Sequence, residues 1–275
     1  MFLDRTEWRM TGQWLAIAAV LATAPAMGAI AGCGSTCLTL AAAEAAQMPT
    51  DATEEKLKGY DITSTGLEPR YPKDYVCSAL TSLYASWIDV DRTRRDERHS
   101  GIDGGRLGDA ILAPAPGTVR RVWVADWGQG HEGALLIVHT REDLNLSEGP
   151  KFYYAEFDHL KYGDVSGLKE GQRIARGERI ASVYRPGGKR RYLPEVHLEV
   201  YEVGEDDALT WGVSERGTEY FKNPTSRLID PLYLLSLEVR PSWRLEVPIT
   251  PFEPQRDYSV FKGFTYFLSC RKRSG

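Results

Sequence analysis

The 275-residue chain predicts an all-β domain, an antiparallel β-sandwich or collapsed barrel with few short helices. Three observations predict it. From about residue 99 to 203, short apolar segments recur between Gly, Pro and Asp turn signals. One of them, Glu195–Val203, alternates cleanly, with Val196, Leu198 and Val200 on one side and Glu195, His197 and Glu199 on the other. No stretch in this region repeats apolar residues at helical spacing over a long run.

In chain order, residues 14–32 carry no charge and are rich in Ala, Leu, Ile and Val. They read as the apolar core of a secretory signal over residues 1–32. The run ends Ile30-Ala31-Gly32-Cys33, and small residues before a Cys resemble a bacterial lipobox. That resemblance implies a lipidated Cys33 and export to the cell envelope. An uncleaved anchor and a cut at an Ala-x-Ala-like site are the alternatives. Pro25 and the Ala/Gly content argue against a stable spanning helix. Residues 33–58 are poor in large apolar groups and read as a flexible tether, with one short helix around Leu38–Gln47.

The domain is expected over 59–240. Tyr75–Val90 holds short apolar stretches that open the sheet, and Asp89–Arg98 reads as a solvated charged loop. Strands follow at Thr118–Ala125, Ala134–Thr140, Phe152–Leu160, Arg179–Tyr184 and Glu195–Val203. Gly128-Gln129-Gly130 and Gly187-Gly188 mark loops. Asn223–Leu235 reads as a loop with a helical turn. Residues 241–275 are proline-rich, then aromatic, and read as a C-terminal extension: a hairpin or a docking strand for a wall hydrolase or envelope protein. Export permits disulfides, and Cys77 with Cys270 is a candidate pair; neither they nor Cys37 show metal-ligand spacing. A net charge of −4 excludes a generally basic nucleic-acid binder.

Chemistry concentrates on the 5 histidines. His99-Ser-Gly-Ile-Asp103 offers a ring nitrogen and a carboxylate oxygen around a glycine that lets the backbone turn, a donor set that suits Zn²⁺. Pro194-Glu-Val-His-Leu-Glu-Val200 places His197 between two carboxylates on one strand face. His159 closes the aromatic strand Phe152–Leu160. Taken singly, each has a bland reading: a charged loop, a solvated strand face, a strand-end histidine. His131 and His139 fit no such pattern and read as structural or surface groups.

Together these segments, with Ala113-Pro114-Ala115-Pro116-Gly117-Thr118-Val119 and the Gly167–Val183 turn region, resemble the lysostaphin-type zinc metallopeptidases in order and spacing over roughly 99–203. The resemblance implies the duplicated hybrid motif fold of that family. It implies a groove with one Zn²⁺ held by His99, Asp103 and His197, leaving a fourth position for water as nucleophile. His159 maps onto one of two catalytic histidines. Glu195 stands where the family's second catalytic histidine stands, and a carboxylate can take that role as base, as in H-E-x-x-H zinc peptidases. The implied reaction is hydrolysis of peptide crosslinks in bacterial peptidoglycan. The alternative is a zinc-retaining, weakly active or inactive domain that binds cell wall or regulates another wall hydrolase. Arg185–Tyr192 replaces the usual small-residue run before the last strand; it reads as a solvated hairpin tip or as a contact for anionic wall polymer.

Overall fold

The computed structural model describes residues 62–95, 97–126, 131–185, 193–214, 217–235 and 245–274. All of these fall in one unit, Met48–Gly275. The expected leader at 1–32, Cys33 and Cys37, the tether with its helix, both glycine-rich loops and most of the basic stretch after Arg185 lie outside the described residues.

The strands are β1 (Glu68–Arg70), β2 (Tyr75–Cys77), β3 (Leu80–Ser82), β4 (Ile102–Gly104), β5 (Ala110–Leu112), β6 (Gly117–Asp126), β7 (His131–Thr140) and β8 (Phe152–Leu160). They continue with β9 (Arg173–Ile174), β10 (Arg179–Ser182), β11 (Val196–Val203), β12 (Thr210–Val213), β13 (Glu219–Lys222), β14 (Ser226–Ile229), β15 (Glu246–Pro248) and β16 (Cys270–Lys272). Two single-turn helices, α1 (Tyr162–Val165) and α2 (Leu232–Leu235), complete the described elements. The all-β, chiefly antiparallel class expected from the sequence is the one observed. All five predicted strands between 118 and 203 are present, within a few residues of their expected ends.

An eight-stranded sheet runs β3-β4-β11-β8-β7-β6-β9, with β14 also paired to β11. Strand β11 pairs with β8 along its length; its other edge is shared by β4 at Val196–Leu198 and β14 at Val200–Val203. Because side chains alternate, each strand serves two faces. On the first face, Val196, Leu198 and Val200 join Phe157, Ala155, Leu135 and Ile137 in the main core. The β5–β10 ladder closes that core with Ile111 and Ile180. On the second face, Trp123, Ala134, Leu136, Val138, Tyr154 and Val203 form a smaller cluster under Trp211 and Phe221 of the β12–β13 hairpin.

The C-terminal segment departs from the expectation of a separate extension. Phe264, Tyr266, Phe267 and Leu268 are buried in the main core. Strand β15 pairs in parallel with β1, and β16 pairs antiparallel with β2. The Tyr266 hydroxyl donates to the Ser78 carbonyl at 2.6 Å, and buried Arg176 donates to the Pro114 and Gly263 carbonyls at 2.6 and 3.0 Å. Cys77 and Cys270, register partners in β2 and β16, are joined by a disulfide. The aromatic run is therefore apolar because it fills the core left open by the short strands β5 and β10.

Two further expectations are corrected. Asn223–Leu235 is not simply a loop and a turn: Ser226–Ile229 forms β14, drawn into the sheet by the unpaired edge of β11. Asp89–Arg98 is not merely a solvated loop: Arg95 folds inward, donating to Asp103 at 2.6 Å and pairing with Asp89 at 2.9 Å.

Candidate metal centre

The second face of the sheet turns polar toward the β4 end of β11. Register sets Asp103 opposite His197 across β4–β11, and Asp158 opposite His197 across β11–β8. Directly opposed residues project to the same side, so this row of three polar groups crosses three strands. Gly101 makes the approach possible. A Cβ there would lie 2.2 Å from the Leu198 carbonyl oxygen and 2.9 Å from His197 Cε1. Room, rather than a left-handed backbone, is what the glycine between His99 and Asp103 supplies.

His99, just before β4, brings its Nε2 to 3.0 Å from both Asp103 Oδ1 and His197 Nδ1; His197 Nδ1 is 2.7 Å from Asp103 Oδ1. Three potential ligand atoms thus form a tight triangle, and all three residues are buried. The outer partners fix the rings. His99 Nδ1 donates to the Leu83 carbonyl at 2.9 Å, with the Ser82 hydroxyl 3.2 Å away. His197 Nε2 donates to Glu199 at 3.1 Å. Arg95 holds the second oxygen of Asp103. The atoms turned inward are then three lone-pair acceptors. Acceptors this close require one positive centre among them, either a proton on His197 Nδ1 or a metal ion.

The charges follow the same geometry. Burial would raise the Asp103 carboxyl, but His99 and His197 beside it hold it well below the usual carboxylate range. Burial lowers His99 and keeps it neutral despite Asp103. For His197, burial is outweighed by its bonds to Asp103 and Glu199, which push it up. Burial likewise opposes ionisation of Glu199, yet bonds from His197, Ser100 and Tyr201 pull it down to about 2. A tetrahedral zinc with bonds near 2.0–2.1 Å needs ligand atoms ~3.3 Å apart. The observed triangle is slightly tighter and has the right donor types, so the residues fit such an ion.

A cavity of about 340 Å³ opens over this cluster, lined among others by Arg98, Asp158, His159, Glu195 and Glu199. Glu195 is buried just ahead of β11, bridged to Tyr184. One of its oxygens, Oε2, is buried without a hydrogen-bond partner. Burial first, then the Asp103 charge, raises its carboxyl to about 7. His159 donates from Nδ1 to Glu132 on β7 at 2.5 Å, and its ring centroid lies 6.3 Å from that of His197. Burial opposes its charge, but the Glu132 bond raises its pKa. Asp158, raised to about 7 by burial, completes the wall.

All five residues singled out by motif, His99, Asp103, His159, Glu195 and His197, therefore line one cavity. His131 is exposed and His139 is buried against Phe264 in the main core; neither reaches the cavity. Sequence reasoning missed Arg95, Glu132 and Asp158. Arg95 was hidden in a run of charges, Glu132 sits near the start of a chiefly apolar strand, and Asp158 carries no signal beyond its neighbour His159.

No family model matches the chain, and no curated protein matches it. Among solved structures it is similar to the catalytic domain of a variant of the prophage-encoded protein EnpA from Enterococcus faecalis, at 22% identity over 57% of this chain and 93% of that one, TM-score 0.32. It is similar to the catalytic domain of lysostaphin from Staphylococcus simulans at 16% identity, covering 45% and 79%, TM-score 0.31. A zinc-containing peptidase from Vibrio cholerae is 25% identical over 48% of this chain and 35% of that one, TM-score 0.30.

Proposed function

We propose that the protein is a zinc metalloendopeptidase acting on the peptide crosslinks of bacterial peptidoglycan. The observation that carries this reading is the convergence of His99, Asp103 and His197 on one point, inside a cavity that also holds Glu195 and His159. His99, Asp103 and His197 are the residues to hold the ion. Bound there, zinc supplies Lewis acidity toward a peptide carbonyl and toward water. Glu195 accepts the proton of the attacking water, a role suited to a carboxyl titrating near neutrality. His159 donates a proton to the developing oxyanion or the leaving amine. Arg95 and Glu199 keep the ligands oriented; such supporting bonds typically matter 10–100-fold for metal affinity or activity.

In this reading the chain is exported and held to a membrane through a lipidated Cys33, which places the domain beside the wall. The second reading, a zinc-binding domain with little turnover, draws on Glu195 itself, a carboxylate where the resembled family has a histidine. Digestion of purified crosslinked peptidoglycan by metal-loaded wild type and by Glu195→Ala separates the two. The first reading expects soluble fragments from wild type and a loss of ~10²–10⁴-fold in the variant. Equal, near-background release from both overturns it and leaves the binding role.

A further inference from the structure

We propose that Glu132 is a positioning residue for His159, fixing which nitrogen of that ring carries its proton and which one meets the cavity. The proposal rests on the reading of His159 as the proton donor and goes beyond it by naming what sets the ring.

Glu132 stands near the start of β7 and is fully buried, with 0% exposure. A buried carboxylate costs several kcal/mol unless it is paired. Its row offers no polar reason for it. Its cross-strand partner is Ala125, and Ala134 and Leu136 follow on the same face. What it does have is His159: Oε2 accepts from Nδ1 at 2.5 Å, while Oε1 is buried without a hydrogen-bond partner. An apolar residue here would pack against Ala125 and Ala134 without that cost.

The backbone of β8 carries a second cost toward the same end. Leu135 pairs with Phe157, but Gly133 pairs with Leu160, so Asp158 and His159 together stand opposite Ala134. This is a β-bulge, a device that re-aims a side chain. His159 takes φ +58°, a left-handed value uncommon outside glycine and worth ~1–3 kcal/mol of strain. Strict alternation would send Asp158 and His159 to opposite faces. With the bulge, both line the cavity. A strained residue and a buried carboxylate on the neighbouring strand thus converge on the orientation of one imidazole. With Nδ1–H donating to Glu132, the proton that His159 delivers to the cavity is the one on Nε2 of the imidazolium, a form that the carboxylate stabilises, and loss of that proton leaves the neutral ring protonated at Nδ1.

The test uses the metal-loaded full chain and two readouts. In wild type, ¹⁵N spectra of histidine-labelled protein should show neutral His159 protonated at Nδ1. Glu132→Gln preserves shape and removes the charge. It should retain metal stoichiometry, lower kcat on peptidoglycan peptides by ~10²-fold and leave KM within about threefold. A folded, metal-loaded Glu132→Gln with wild-type kcat overturns the proposal, as does a wild-type His159 protonated at Nε2. If wild type hydrolyses no peptidoglycan at all, the peptidase reading fails, and the tautomer still decides the role of Glu132. If Glu132→Gln does not fold, the wild-type tautomer decides it as well.

Discussion

Strands β7, β8 and β11 pass beneath two different regions on the same face of one sheet. Toward the β12–β13 hairpin the face is apolar: Trp123, Leu136, Val138, Tyr154 and Val203 lie under Trp211 and Phe221. Toward β4 it is polar: Asp103, His197, Asp158 and Glu199 lie under the charged loop that carries Arg95 and His99. On β11 the alternation is continuous through both, so the strand pattern alone does not decide the character of the face. The cover does. A hairpin of aromatic residues closes one half by burying apolar area. The other half buries ionisable groups, which is unfavourable unless each is paired. Its pairs are dense around His99, Asp103 and His197 and incomplete at Glu195, Asp158 and Glu132, each of which has one buried oxygen without a hydrogen-bond partner. One half is built for stability, and the other holds charge in place.

The two halves should fail independently, and the largest effect is expected at the polar end. Gly101→Ala forces a Cβ against the Leu198 carbonyl and the His197 ring. It should abolish metal uptake and cost ~3–5 kcal/mol, the range of severe core and backbone lesions. Denaturant melts with parallel metal analysis check this. A variant that binds metal normally would show that the close approach is not needed.

At the apolar end, Phe221→Ala removes the ring that meets Tyr154 and Tyr201 edge-on at 5.6 and 4.9 Å. A fully buried Phe→Ala costs 3–5 kcal/mol; for this half-buried ring ~1–3 kcal/mol is expected, with metal affinity unchanged. Coupled loss of both would mean that the halves are not separable. Arg95→Ala reverses the pattern. It should weaken metal affinity ~10-fold or more by releasing Asp103, with little change in the urea midpoint relative to Phe221→Ala. The smallest effect belongs to Tyr154→Phe, which deletes a hydroxyl bonded to Asp206 at 2.6 Å. About 1 kcal/mol of stability should go, with no change at the metal centre.

The same contrast explains what could be read from the sequence. Strand β11 was legible because Val196, Leu198 and Val200 alternate with Glu195, His197 and Glu199, a pattern fixed by the geometry of one strand. His99 and Asp103 were legible because both sit on one short segment around Gly101. Contacts that depend on long-range register left no local trace. Glu132 reaches His159 only because β7 and β8 pair with a bulge. Asp158 enters the row only because β8 lies beside β11. The β12–β13 hairpin and β14 were unpredicted because their apolar residues answer to a patch formed elsewhere in the chain. The aromatic run Tyr258–Phe267 looked like an appendage for the same reason: the core it fills, with Ile111 of β5 and Ile180 of β10, is built from strands far earlier in the chain.

Metal analysis of the purified chain tests the central claim most directly. Wild type, titrated with Zn²⁺ at neutral pH, should take up one ion per chain. Uptake should weaken as the pH falls, because a proton competes for the same three acceptor atoms. His197→Ala, measured alongside, should bind none at that site while keeping the apolar half folded. Stoichiometric uptake by wild type that His197→Ala leaves untouched, or no uptake by wild type at all, would contradict the account.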